Sequence, residues 1–275
     1  MIEAPARPTI GAIIRFKNSA ATLPGVLAAL RRQTVQPDLL LGIDSGAKDN
    51  SRDLLTAAGA RILDWTAPYH HSRVLNFAVA NCPTDLVLVL SSHTVLDAPD
   101  AIERLRDALA DPRTACASAR WDADPYYSEA VDWPELQRKG LKFGSIYSNS
   151  MGMFRRRLWE ELHFDESIST MEDGVWAVEQ LKRGHVCRRL AFDFRYQRST
   201  TDRTFIFSAF TFRLADQHGL RVAWLGPGAS LRALAAGLLA LPFAADRAAA
   251  RQQLLVHRDR LRAWLYGRRK QDLKE

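Results

Sequence analysis

The stretch DLLLGIDSGAKDNSRDLL, Asp38 to Leu55, begins as an apolar run, stops at an acid, turns, and restarts with helical spacing. Leu39, Leu40, Leu41 and Ile43 form a short continuous apolar segment of the kind found in strands buried on both faces. Ser45-Gly46 and Asp49-Asn50-Ser51 supply turn and cap chemistry, and a helix is expected over Asp49–Ala58. The same order of strand and helix recurs on both sides. TIGAIIR (Thr9–Arg15) reads as a buried strand, and Ala20–Arg32 as a helix. ARILDW is a third strand, Ser72–Asn81 a helix, DLVLVLSS a fourth strand, Pro99–Leu109 a helix and TACASAR a further strand. Strands alternating with helices of this length predict an α/β fold with a mostly parallel central sheet and helices on both faces. In such sheets, ligands gather at the carboxyl ends of the strands.

The alternation weakens after Trp121. The segment WDADPYYSEAVDWPELQRKGLKFG reads as a loop with a short helix, and its aromatics suit either a sugar or base platform or a plain hydrophobic anchor. SIYSNSMGMFRR suits one or two short strands, RRLWEELHF a helix, MEDGVWAVEQLKRG a helix ended by Gly184, and HVCRRLAFDFRY one strand. Beyond Gly226-Pro227-Gly228 the composition shifts to Ala, Leu and Arg. An α/β domain over 1–228 and a helical extension over 229–275 are therefore expected.

The 275 residues, 47% hydrophobic and 25% charged, are enough to bury a sizeable core. Three cysteines without metal-ligand spacing predict neither a zinc site nor a disulfide framework, and reduced thiols suit the cytoplasm. The start MIEAPARPTIGAII does not read as a signal peptide, and no window reaches the length of a membrane span. A net charge of +7 fits nucleic acid, an anionic membrane or a phosphorylated substrate equally well.

Five groups of residues would meet on one face of the sheet. Arg15, Lys17 and Asn18 follow the first strand; Asp44 and Ser45 follow the second; Arg73 and Asn76 lie one helical turn apart before the fourth; Ser91, Ser92 and His93 follow it; Glu172 and Asp173 open a later helix. Arginine and lysine suit phosphate, and a carboxylate just past a strand suits a base imide or ribose hydroxyl. Adjacent acids on a helix point about 100° apart and can take different tasks. Against these stand plainer readings: a capped turn at Asp44, a solvent-facing Arg73–Asn76 pair, first-turn helix acids at Glu172 and Asp173. His70 and His71, being adjacent, are poor partners for one metal ion.

Taken in order, IIRFKN, LLLGIDSGAKDNSRDLL, RVLNFAVANCPTDLVLVLSSH and NSMGMFRRRLWEELHFDESISTMEDGVWAVEQLKRG resemble a family 2 glycosyltransferase of the GT-A fold. The resemblance covers about residues 9 to 190. It implies sugar transfer from a UDP-, dTDP- or GDP-sugar to a hydroxyl of a glycan or lipid-linked acceptor, usually with inversion, in cell-surface polysaccharide or glycolipid synthesis. It implies that Arg15, Lys17, Asn18, Asp44, Ser45, Arg73, Asn76, Ser91 and Ser92 bind the donor. Asp173 would be the base, with Glu172 orienting the acceptor or the helix start. The family usually ends its fourth strand with Asp-x-Asp, whose last carboxylate binds a divalent metal. Here Ser91-Ser92-His93 stands instead, as in some rhamnosyltransferase-like bacterial sequences, so Mn²⁺ or Mg²⁺ would depend on His93. Without metal, protonated His93 with Arg73 or Lys17 would neutralise the leaving diphosphate. Relatives often place a further histidine where this chain has Tyr196, Gln197 and Arg198.

A catalytically silent GT-A domain that binds a nucleotide or glycan is the alternative, favoured by the lost Asp-x-Asp and opposed by the retained Glu172-Asp173. A nucleotidyltransferase is disfavoured by the absence of a Gly-rich phosphate loop after the first strand. The basic C-terminal helices suit an anionic membrane surface at the inner face, a cap on the domain, or a homodimer contact.

Overall fold

A computed structural model describes residues 7–120, 126–142, 146–168, 170–197, 204–222, 227–243 and 247–268. The aromatic stretch at 121–125, Arg198 and the basic residues 269–270 lie outside the described residues.

The chain forms two compact units, one of Met1–Trp133 with Gly144–Arg198, the other of Pro134–Phe143 with Ser199–Glu275. The first unit begins as expected: β1 (Ile10–Phe16), α1 (Leu23–Arg31), β2 (Leu39–Asp44), α2 (Ser51–Ala57), β3 (Arg61–Asp64), α3 (His71–Ala80) and β4 (Leu86–Ser91). These strands lie parallel in the order β3-β2-β1-β4. After β5 (Thr94–Leu96) and α4 (Ala101–Ala108) come β6 (Thr114–Ala119) and β7 (Ala130–Val131), then β8 (Met151–Arg155), α6 (Arg156–Glu161), α7 (Glu172–Lys182), β9 (Val186–Leu190) and β10 (Phe194–Tyr196); α5 (Trp133–Lys139) intervenes before β8. The sheet continues past β4 as β8-β6-β9-β7, with β8 antiparallel to both neighbours and β6 parallel to β9.

Ile10, Ile14, Leu88 and Leu90 on adjacent strands pack with Leu23, Val26 and Leu30 of α1 and Ile102 and Leu105 of α4 in one core. Gly152 sits in β8 because a Cβ there would collide with the carbonyl of Ser148 and the ring of Tyr147.

The expected strand His185–Tyr196 breaks at Ala191–Asp193 into β9 and β10, which belong to different sheets. β10 leaves the main sheet to pair antiparallel with β5, setting Tyr196 opposite Thr94.

In the second unit, α8 (Thr204–Gln217), α9 (Pro227–Ala240) and α10 (Arg247–Arg268) are joined with a short bridge between Leu141 and Val222. The structure divides the chain before α8 rather than at 228, because α10 packs on α8 as well as on α9. Among the described residues, no helix is long and apolar enough to cross a membrane.

Candidate active site

Parallel pairing brings the carboxyl ends of three strands level: Phe16 lies opposite Asp44, and Arg15 opposite Ser91. Beyond them opens a cleft of about 740 Å³, lined by Lys17, Asp44, Ser45, Asp64, Trp65 and Tyr69 among others. Asp44 is only 6% exposed. Its Oδ1 accepts from the amides of Gly46 (2.9 Å) and Ala47 (2.8 Å), and Oδ2 from Arg52 Nη1 (3.1 Å). Arg52 also holds Asp64 at 2.5 Å. The turn needs Gly46 at φ +89°, where a side chain would be strained. Asp44 thus caps its turn and lines the cleft together; with three acceptor positions used of roughly four, one remains for a ligand.

Asn18, itself at φ +49°, accepts from the Lys48 amide through Oδ1 at 2.7 Å, so the loops after β1 and β2 are tied to each other. Behind them Ser92 is 3% exposed, its hydroxyl 3.0 Å from that of Ser19 and its carbonyl accepting from Thr22 Oγ1 at 2.7 Å. Ser92, expected to bind the donor, is thus a buried support for the turn. Ser91 Oγ accepts from the His93 amide at 3.3 Å. The His93 ring is half-buried, with Nδ1 3.4 Å from Thr22 Oγ1 and the ring of Tyr196 edge-on, 6.2 Å between centroids. The antiparallel pairing of β10 with β5 is what delivers Tyr196 to this corner.

The acidic pair sits at the start of α7, next to Met171, which adopts left-handed backbone angles (φ 63°, ψ 21°) without being glycine. Strain of this kind persists only where surrounding contacts over-determine it. Asn149 holds the two acids that follow Met171: its amide donates to Asp173 Oδ2 at 2.9 Å and its Nδ2 to Glu172 Oε1 at 3.4 Å. The Gly174 amide donates to Asp173 Oδ1 at 2.7 Å. Burial, and then the charge of Asp173, push the Glu172 carboxyl up to about 7, with Arg15 pulling the other way. Asp173 is also raised by burial, opposed by the amides of Asn149 and Gly174 and by Arg15. Burial lowers the Arg15 guanidinium, but Tyr69, Glu172 and Asp173 outweigh it and leave it raised. Arg15 Nη1 donates to His71 Nδ1 at 3.0 Å and lies 3.4 Å from the Tyr69 hydroxyl. Arg15, in contact with Tyr69 on the wall of the cleft, also bears on the buried acids through its charge.

Asn76, expected to bind the donor, is enclosed in the fold. It is 8% exposed, and both halves of its amide are spent inside the fold. Nδ2 donates to the Phe164 carbonyl and to Glu166 Oε1, both at 2.9 Å, while Oδ1 accepts from Trp159 Nε1 (3.0 Å) and the Phe164 amide (3.1 Å). It pins α3 to the segment leading into α7. Arg73 turns to solvent, 57% exposed, with Nε 3.7 Å from the same Glu166. Asn149, His71, Tyr69 and Arg52 are the site residues that sequence reasoning missed. Asn149 carries no spacing signal, since its role comes from a contact across 24 residues.

A family model described as glycosyl transferase family 2 matches residues 12–164, more than half of the chain. The chain belongs to glycosyl transferase family 2. Among curated proteins it is 30% identical over 193 residues to the O-antigen chain rhamnosyltransferase RfbN of Salmonella typhimurium, covering 63% of this chain and 61% of that protein. It is 25% identical over 174 residues to the O-antigen chain rhamnosyltransferase WbaN of Salmonella anatum, covering 57% and 55%. The chain thus spans about three-fifths of the length of these curated relatives. Among solved structures it is similar to the mannosyltransferase PcManGT of Pyrobaculum calidifontis in complex with GDP-Man and Mn²⁺, with TM-score 0.69, 16% identity, and 97% and 89% of the two chains covered. A glucosyl-3-phosphoglycerate synthase of Mycobacterium tuberculosis in complex with Mn²⁺ and UDP gives TM-score 0.60 at 16% identity, covering 78% and 81%. The fold is GT-A, an α/β architecture.

Among the described residues of this family 2 member, no three His, Cys, Asp or Glu side chains gather where they could hold an ion. The donors at the end of β4 are the His93 imidazole and the Ser91 hydroxyl. That set fits an ion taking its remaining ligands from a diphosphate and water, and imidazole suits Mn²⁺ better than Mg²⁺.

Proposed function

We propose that this protein is an inverting glycosyltransferase that moves a sugar, of the hexose or deoxyhexose class, from a nucleoside diphosphate to an acceptor hydroxyl during O-antigen-type polysaccharide synthesis. The observation that carries the reading is the buried Glu172–Asp173 pair, held by Asn149 and faced by Arg15 at the carboxyl-end side of the sheet. Asp173 takes the proton of the acceptor hydroxyl as that oxygen bonds to the anomeric carbon. The bond from that carbon to the diphosphate breaks, and the nucleoside diphosphate leaves with the electron pair. Glu172, with its carboxyl raised to about 7, keeps a proton over part of the neutral range and can hydrogen-bond the acceptor. Lys17, Asp44 and Ser45 line the cleft proposed for the donor, and Arg15 meets its wall through Tyr69. Ser91 and His93 stand where the diphosphate leaves. A divalent ion held by His93 would supply positive charge to the diphosphate oxygens. The similarity to rhamnosyltransferases supports a deoxyhexose.

The test is release of nucleoside diphosphate from a panel of UDP-, dTDP- and GDP-sugars with acceptor extract. One donor should turn over in wild type and not in Asp173→Asn. Donor binding without turnover in wild type, across the panel, would instead favour a silent nucleotide-binding domain, the reading that the Ser-Ser-His corner invites.

A further inference from the structure

In the second unit, α10 presents one outward stripe. Its exposed residues, among those described, are Arg247, Arg251, Leu255, Arg258, Arg262 and Leu265. Their spacing of four, four, three, four and three keeps all six within an arc of about 80° at 3.6 residues per turn. α10 packs on α8 and on α9, with Leu254 against Gly237 of α9 just beside the edge of the stripe. Two of the six are leucines, 41% and 53% exposed. The only acid in α10 is Asp259, and it is paired with Arg258 at 2.8 Å. The neighbouring α9 contains no acid at all and leaves Leu231, Leu238 and Leu239 57%, 61% and 78% exposed, with Arg232 among them. Leu231 and Leu238 are seven residues apart and share a face.

We infer that the exposed faces of α9 and α10 dock on an anionic phospholipid surface. The leucines are exposed among the described residues and gain by entering the boundary between headgroups and acyl chains. The arginines lay their apolar stems along that boundary and set guanidinium groups against lipid phosphates. Charge complementarity selects this occupant over others. A second copy would set the same arginine stripe against itself, because a two-fold contact is self-complementary. A nucleic acid would meet the arginines and leave the leucines in water. The inference does not depend on sugar transfer, since it concerns a separate surface and needs no donor.

The full chain is sedimented with vesicles of phosphatidylcholine alone and with vesicles containing about one-quarter phosphatidylglycerol. It should pellet with the anionic vesicles, stay soluble with the neutral ones, and be released as salt screens the arginines. Arg251→Glu/Arg258→Glu/Arg262→Glu should lower the bound fraction by roughly tenfold or more. Leu255→Ser/Leu265→Ser should weaken binding at unchanged charge, which a purely ionic contact would not show. Circular dichroism confirms folding of each variant, and the glutamine version replaces the charge reversal should that one fail to fold. Wild type that stays in solution with anionic vesicles overturns the inference. So does binding indifferent to the leucine substitutions, which would mark a general polyanion surface, or a dimer in sedimentation velocity that both variants abolish, which would mark a second copy as the occupant.

Discussion

At the Glu172–Asp173 corner, backbone amides, the Asn149 side chain, the Arg15 charge and a left-handed Met171 all fix two acids that are costly to bury together. At the Ser91–His93 corner, a single half-buried imidazole sits 3.4 Å from a threonine hydroxyl with a tyrosine ring edge-on. The first corner is complete before a ligand arrives. The second is the corner proposed to meet the donor's diphosphate. The contrast matches the two halves of the proposed reaction: a base must be prepared by its surroundings, whereas a leaving group brings its charge with it.

The contrast can be broken by substitution. Asp173→Asn keeps the size of the side chain and removes the base, so turnover should fall by about a thousandfold, within the range typical of general bases, with an unchanged circular dichroism spectrum. A loss below about tenfold would move the base elsewhere. His93→Ala should cost about a hundredfold, the scale of one electrostatic contact to developing charge, and should abolish any stimulation by Mn²⁺. Activity lost while Mn²⁺ stimulation persists would remove His93 as the ligand.

Two further substitutions separate support from contact. Asn76→Ala leaves the Trp159 indole and the Phe164 amide buried without an acceptor, and should lower stability by about 2–4 kcal/mol in denaturant melts while the KM for donor holds. A raised KM at unchanged stability would return Asn76 to the donor pocket. Arg73→Ala removes an exposed ion pair at 3.7 Å and should change stability by less than about 0.5 kcal/mol; any effect should fall on KM.

Much of this contrast could be read from sequence, unevenly. β1, β2 and β4 were legible because largely buried strands are near-continuous apolar runs, and their ends at Arg15, Asp44 and Ser91 followed at once. The acidic pair was legible from its place at a helix start. What holds the pair was not: Asn149 acts across 24 residues, and left-handed Met171 has no local signature. The enclosure of Asn76 was not legible, because its spacing from Arg73 says which face of α3 it shares, and not what covers that face. Both residues reach Glu166, but only Asn76 is enclosed. The split of β9 from β10 was hidden because Ala191-Phe192-Asp193 continues an acceptable strand pattern, and β5, three residues long, gives too short a run to recognise. α8 escaped because TFIFSAFTF is rich in aromatic and β-branched residues that favour strands, and packing on α10 overrides that preference.

The measurement that tests the account most directly is the pH dependence of kcat, at saturating donor, in wild type and Arg15→Gln. Burial raises Glu172 to about 7 and raises Asp173, and Arg15 opposes both shifts. Taking that cation away must raise both carboxyls further, and since Asp173 must be ionised to take the proton, the acid limb of the profile should move to higher pH. An acid limb that stays in place, or moves to lower pH, would contradict a buried Glu172–Asp173 pair governed by Arg15 as the proton-accepting end of the site.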